Sequence, residues 1–374
     1  MSIGSELLYS RNRCRPKAKR RRTLRWVVCV CLVFLWELDV SFESLLVSAE
    51  KASESNKPFT TAIYESNWEM IETYAHDPSS FTQGLEVHPS SVIPGTCQAS
   101  SSSAETCSTE SDTTEEQLLV TESTGMRGDS LLRIWDLVTG DIQKETKMES
   151  HLFGEGSTFF VDQDGNEKIA VLTYQEDTIL VYDANSLDLL DTIRPWPSPT
   201  TTNEGWGIAF DPLRKLFVVT DGSEYLHFWN TNFEEVGDKI PVVIEKLIVP
   251  HDNGSIKQVI IPHISERDDE SSSSQEQAPS EFRVTRLNEL EWDGATQTLL
   301  ANRWGEKVVL RIDPRTGIVT RVYDFWDVQK EETNNQHHRE DVFNGIAIVP
   351  NTDGKEWLVT GKWWPQVYRV RILE

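Results

Sequence analysis

Gln83, Glu155, Trp206, Asn288 and Asn344 each stand at the head of a short run, and side by side they could line one small pocket. The runs are Gln83-Gly84-Leu85, Glu155-Gly156-Ser157, Trp206-Gly207-Ile208, Asn288-Glu289-Leu290 and Asn344-Gly345-Ile346. Farther along each repeat, Tyr174, Asp221, Trp304 and Lys362 end a second run and are expected as the next ring outward. Carboxyl groups, three amides, aromatic walls and a lysine have the makeup of a small-molecule site, a few polar groups among apolar surfaces. The competing reading is bland: polar ends of inner strands that merely hydrate a channel.

A repeat would bring them together. The leading residues lie 72, 51, 82 and 56 positions apart, and the two long intervals carry insertions near 90–117 and 250–282. The first insertion is rich in Ser, Thr and Glu; the second holds Asp268-Asp269-Glu270 and the run Ser271 to Ser274. Such segments bury too little apolar surface to order themselves and are expected as surface loops. Without them the period is about 50 residues, the spacing of propeller blades. The third run of each repeat alternates with many β-branched and aromatic residues, as in Leu131 to Leu137 and Val308 to Asp313, which predicts strands. Thr139-Gly140, Asn185-Ser186 and Thr316-Gly317 supply turns before a fourth run.

The fifth repeat ends at Glu374 without a fourth strand, and Ala62 to Tyr74 is left over before the first repeat. The architecture expected is therefore all-β, a five-bladed β-propeller over 60–374. Its N-terminal strand would close the last blade and hide two sheet edges. A β-sandwich would explain the strands but not the repeat.

Eight short motifs occur in order along the chain. They are Phe81-Thr82-Gln83-Gly84-Leu85, Glu122-Ser123-Thr124-Gly125, Phe153-Gly154-Glu155-Gly156, Gly205-Trp206-Gly207, Leu287-Asn288-Glu289-Leu290-Glu291, Ala301-Asn302-Arg303-Trp304, Asn344-Gly345-Ile346-Ala347 and Val359-Thr360-Gly361-Lys362. From about Tyr64 to Ile372 the chain resembles the glutamine cyclotransferase family of plant and papaya type, itself a family of five-bladed propellers. The resemblance implies a glutaminyl-peptide cyclotransferase, an ammonia-releasing aminoacyltransferase that closes an N-terminal glutamine to pyroglutamate. It implies Glu155 as proton shuttle, Gln83, Asn288, Trp206, Trp304 and Lys362 as pocket residues, and Phe81 and Phe153 as apolar walls. Tyr174 departs from the papaya pattern, which has tryptophan there; an aromatic face survives. Asn344 completes the channel ring. Burial among aromatic rings would raise the Glu155 pKa, and a nearby Lys362 would lower it.

No cofactor and no metal are expected. The histidines, His76, His88, His151, His227, His251, His263, His337 and His338, show no ligand-like spacing and are expected at the surface. The alternative function is a non-catalytic lumenal or extracellular propeller that binds peptides or glycans, which would have no need of a carboxyl in an aromatic channel.

Charge separates the chain into two parts. The formal net charge is -24, yet Arg11 to Arg25 holds nine Lys or Arg residues, so the remainder is more acidic still. A body of that sign repels nucleic acid and suits a substrate with a free amino terminus. Residues 1–50 are expected as a basic leader: the apolar run Trp26 to Trp36 suits a signal peptide, cleaved near Val47-Ser48-Ala49, or a signal anchor. Either places the body in the secretory pathway, touching membrane only through its N-terminal segment. In that compartment Cys97 and Cys107 could join, and Asn253-Gly254-Ser255 is a glycosylation acceptor. A closed propeller needs no partner subunit, so a monomer is expected.

Overall fold

Asp and Asn residues at strand ends punctuate this chain. Asp136 Oδ1 accepts the amides of Val138 and Thr139 at 2.9 and 3.0 Å. Asp183 does the same for Asn185 and Ser186, and Asp293 for Ala295 and Thr296. Each side chain imitates a backbone turn and sends the chain back as the next antiparallel strand. The computed structural model describes residues 61–65, 67–91, 117–250, 256–259, 282–328 and 342–373, all within the unit Phe59–Glu374.

Two strands precede the first repeat, β1 (Thr61–Glu65) and β2 (Trp68–Ala75). The first repeat folds as the meander β3 (Thr82–Val87), β4 (Leu119–Thr124), β5 (Leu131–Asp136) and β6 (Ile142–Lys147). The second is β7 (Gly154–Val161), β8 (Glu167–Thr173), β9 (Ile179–Asp183) and β10 (Leu189–Ile193). The third is β11 (Ile208–Asp211), β12 (Leu216–Val219), β13 (Tyr225–Trp229) and β14 (Ile240–Pro241). Four short strands follow: β15 (Val243–Ile244), β16 (Lys246–Pro250), β17 (Ile256–Val259) and β18 (Phe282–Arg283). The fourth repeat is β19 (Leu287–Asp293), β20 (Thr298–Arg303), β21 (Val308–Ile312) and β22 (Val319–Asp324). The fifth is β23 (Phe343–Ile348), β24 (Glu356–Gly361) and β25 (Gln366–Ile372).

The expectation of five four-stranded blades is corrected by the pairing. The all-β arrangement is propeller-like with four four-stranded blades: β3–β6, β7–β10, β11–β14 and β2-β25-β24-β23. The fourth repeat forms no such blade. It is the inner part of a seven-stranded sheet, ordered β17-β16-β1-β22-β21-β20-β19. The physical reason is an open edge. The outer edge of β22 takes β1 as a parallel partner, β16 pairs parallel with β1, and β17 adds antiparallel to β16. The segment 62–74 is thus two strands in two sheets, and only β2 lies on β25, from Trp68 opposite Ile372 to Ala75 opposite Gln366. Part of the second insertion, expected as loop, is strand β17. The leader 1–50, residues 92–116 of the first insertion and 260–281 of the second lie outside the described residues.

The inner strands β3, β7, β11, β19 and β23 abut in turn around a central axis. Apolar side chains fill the gaps between neighbouring sheets. Leu85, Val120 and Trp135 meet Ala347, Leu358 and Val367, and Leu300, Val309 and Tyr323 meet Ile346, Trp357 and Tyr368. With both faces covered, β8 and β9 read as continuous apolar runs and only outer strands such as β6 and β10 are exposed.

One polar network also joins the first and last sheets. Glu122 on β4 is fully buried and accepts from Arg133 Nε and Nη2 at 2.9 and 2.6 Å and from Thr82 Oγ1 at 2.8 Å. His76, just beyond β2, lies 3.1 Å from the same carboxylate through Nε2 and 2.7 Å from Trp364 O through Nδ1. Burial pushes the Glu122 carboxyl up, but Arg133 and His76 outweigh it and hold the group well below the usual carboxylate range. Its stabilisation is therefore present above the ordinary carboxyl pKa and is lost as pH falls through the depressed folded value. Glu122→Gln takes the buried carboxylate from the Arg133 guanidinium, leaves it the exposed Asp77 as counter-charge, and is expected to destabilise the fold by about 3 kcal/mol or more at neutral pH. Urea unfolding reads this as a lower midpoint with unchanged slope; an unchanged midpoint would remove the network from the account.

Candidate active site

Irregular pairing aims the inner-strand residues. The ladder between β3 and β4 slips between Thr82 and Gly84, leaving Gln83 as the extra residue. The same slip occurs around Glu155-Gly156 in β7, Asn288-Glu289 in β19 and Asn344-Gly345 in β23. A β-bulge bends its strand and re-aims the unpaired side chain. In the third repeat Trp206 precedes β11, its amide donating to Thr220 O at 3.0 Å.

A cavity of about 420 Å³ lies at this end of the inner strands, lined by Phe81, Gln83, Phe153, Glu155, Tyr174, Trp206, Asn288, Trp304 and Lys362. Phe81 meets Phe153 edge-on at 6.0 Å, and Phe153 meets Tyr174 at 5.8 Å. The Lys362 ammonium sits 4.5 Å from the Phe81 ring centre. Gly222 gives Trp206 its room, because a Cβ there would come within 2.6 Å of the indole. Trp304 is the exposed wall, at 37%.

Glu155 is 6% exposed, and Gln83 Nε2 donates to its Oε1 at 3.3 Å. Burial raises its pKa to about 8; the Lys362 charge opposes the rise, and Glu204 and Glu176 add to it. Among the described residues, Gln83 Oε1 and Asn288 Oδ1 are buried acceptors without a hydrogen-bond partner. The site thus offers a carboxyl that keeps its proton at neutral pH, two open acceptors, one cation and aromatic walls. That is equipment for binding a small polar group and moving a proton within it.

Two residues expected at the mouth lie elsewhere. Asn344 is fully buried beside the cavity: its Nδ2 donates to Thr82 O, and its Oδ1 accepts from Asn288 Nδ2, both at 2.9 Å. It orients Asn288 and does not line the space. Asp221 accepts from Thr202 N at 2.9 Å and Ser223 Oγ at 2.5 Å, which turns it toward the loop before β11. The histidines also need correction. His76, His88 and His227 are buried, each with hydrogen-bonding partners, and only His151 among the described histidines is exposed. His251, His263, His337 and His338, with Cys97, Cys107 and Asn253, lie outside the described residues. Sequence reasoning missed Glu204 and Glu176, loop residues outside the repeat; the placing of Glu204 two positions before Trp206 was the available signal.

The model of the glutamine cyclotransferase family matches residues 42–121, 113–251 and 265–372. A glutaminyl-peptide cyclotransferase from Arabidopsis thaliana is 25% identical over 304 residues, 81% of this chain and 71% of that protein. The crystal structure of a glutaminyl cyclase from Myxococcus xanthus shares the fold, with a TM-score of 0.56 at 22% identity, covering 85% of this chain and all of that one.

Between the unfolded carboxyl value near 4.5 and the folded value of about 8, the native state holds one more proton at Glu155 than the unfolded chain. Stability therefore falls as pH rises through that window. Glu155→Gln removes the cost of burying an ionisable group and is expected to raise Tm, with a gain larger at pH 8 than at pH 5. Scanning calorimetry at the two pH values checks it; an equal gain at both would show that the carboxyl is not held protonated.

Proposed function

We infer that this chain, which belongs to the glutamine cyclotransferase family, closes an N-terminal glutamine to pyroglutamate and releases ammonia. The observation that carries the reading is Glu155, a carboxyl raised to about 8 by burial at the floor of an aromatic cavity. Cyclisation joins the α-amine to the side-chain carboxamide carbon of the same residue. Because both reactants sit in one molecule, the protein has mainly to hold a folded rotamer and move protons.

The attacking amine must be unprotonated, and the amide nitrogen leaves poorly until it gains a proton. A single carboxyl serves both needs. As the neutral amine attacks, protonated Glu155 gives its proton to the leaving nitrogen. The carboxylate so formed takes the proton shed by the nitrogen of the new carbon–nitrogen bond, so ammonia departs and the carboxyl is restored. An α-amine ordinarily titrates at about 7.7–8.0, so it and Glu155 share a proton readily at neutral pH.

The remaining groups have distinct tasks in this scheme. Trp206, Trp304, Tyr174, Phe81 and Phe153 press the side chain into its curled form and keep water out. Gln83 Oε1 and Asn288 Oδ1 accept from substrate N–H groups. Lys362, the cation among the lining residues, faces the oxygen on which charge develops. No step draws on a metal or cofactor. The substrates are peptides or proteins that begin with glutamine. The family match starts at residue 42, beyond the basic and apolar run, which supports reading the first segment as an address to the secretory pathway.

The test is ammonia release from a short peptide beginning with glutamine, in the presence of EDTA, with Glu155→Gln assayed beside the unaltered protein. Turnover by the latter and a loss of at least about a hundredfold in kcat for the variant are expected. A folded protein without turnover would overturn the reading, and equal turnover in both would take the proton transfer away from Glu155.

A further inference from the structure

One loop carboxylate is shared by two of the aromatic walls. Glu204 Oε2 accepts the indole N–H of Trp206 at 3.0 Å. Burial raises the pKa of the Tyr174 phenol and the same carboxylate adds to the rise, and Gln175 Nε2 donates to the Glu204 Oε1 at 2.7 Å. The loop is pinned from behind. Thr200 Oγ1 donates to the Glu204 carbonyl at 2.8 Å, and Thr202 donates to Asp221 through its amide at 2.9 Å and its hydroxyl at 2.8 Å. Asp221, turned toward this loop, therefore acts through it. The departure at position 174 fits the arrangement, since a phenol can give the carboxylate an O–H at this wall.

We propose that Glu204 is a positioning residue for the cyclisation, fixing Trp206 and Tyr174 in orientation across the cavity and setting a negative charge beside the proton exchange at Glu155. The proposal rests on the cyclisation reading above. A ring free to turn about its side-chain bonds would let the substrate relax from its curled rotamer, so the brace acts on how productively the glutamine is held. The charge acts on Glu155 itself. Lys362, from the turn after β24, favours its ionised form; Glu204 and Glu176, the latter from the turn after β8, disfavour it. Arg127, from the loop after β4, pairs with Glu176 at 2.5 Å. Neutralising Glu204 therefore lets Glu155 ionise at lower pH.

Three variants of the full chain separate the two roles. Glu204→Gln keeps an acceptor for the indole and removes the charge; Tyr174→Phe keeps the charge and removes one leg of the brace; Glu204→Ala removes both. Glu204→Gln is expected to move the pH optimum of kcat/KM for a glutamine peptide downward by about half a unit or more. Tyr174→Phe is expected to raise KM severalfold with the optimum in place, and Glu204→Ala to lower kcat/KM at least about tenfold. A measurement that needs no turnover runs beside them. In protein labelled with 5-fluorotryptophan, the 19F resonance of Trp206, assigned by its loss in Trp206→Phe, is expected to shift or broaden in Glu204→Ala while the buried Trp357 and Trp364 do not. If unaltered protein has no turnover, the cyclisation reading fails, and the resonance alone decides the brace. Unchanged kinetics and pH profile, or an unmoved Trp206 resonance in Glu204→Ala, would overturn the proposal.

Discussion

Close approach of the inner strands around one axis is the constraint on which the rest of the structure depends. A Cβ on Gly207 would stand 1.9 Å from the carbonyl oxygen of Asn288, and one on Gly156 would stand 2.7 Å from that of Trp206. Neither strand could lie where it does with a larger residue. The glycine follows directly on the residue that faces the cavity, so the position that lets the ring close is coupled to the one that does the chemistry. The bulge supplies the aim and the glycine supplies the distance. Gln83, Glu155 and Asn288 are consequently placed by backbone geometry, the least adjustable part of a protein.

At the fourth repeat Glu289 stands where the others have glycine. Its Oε1 accepts the Leu85 amide at 3.4 Å, and burial raises its pKa well above the ordinary range. Glu86, half-buried, and Glu291, buried, are raised for the same first reason. Burial thus favours the protonated form of every one of these carboxyls, Glu155 among them.

The residues of the cavity were legible in the sequence because they recur at equivalent points of a repeat and sit in short motifs. A motif with Gly beside a polar residue already encodes the bulge that aims it. Pairing between distant edges was not legible. Nothing local in Thr61–Glu65 marks it as a parallel partner of both β22 and β16, since edge pairing is decided by which edge stays open. Pro241, lacking an amide hydrogen, is consistent with the early end of β14, but it does not say where the chain goes next. Hydropathy also misjudged the histidines. His76 lies in a polar stretch of sequence and is nevertheless buried, because Glu122 and Trp364 O satisfy its ring. Glu204 stayed invisible for the opposite reason: it belongs to a loop without a repeat partner, and its role exists only once Tyr174 and Trp206 are adjacent.

The pairing of β2 with β25 has a consequence for how the protein is made. Residues 68–75 leave the ribosome long before their partner, residues 366–372. The final blade is an incomplete three-stranded sheet until both are present. Until residues 366–372 emerge, the strand 68–75 thus carries an open edge, the kind of surface that invites mispairing. Completion of the ring waits on that segment, and contacts this distant along the chain slow it further. A nascent chain of this kind has reason to be shielded until residues 366–372 arrive.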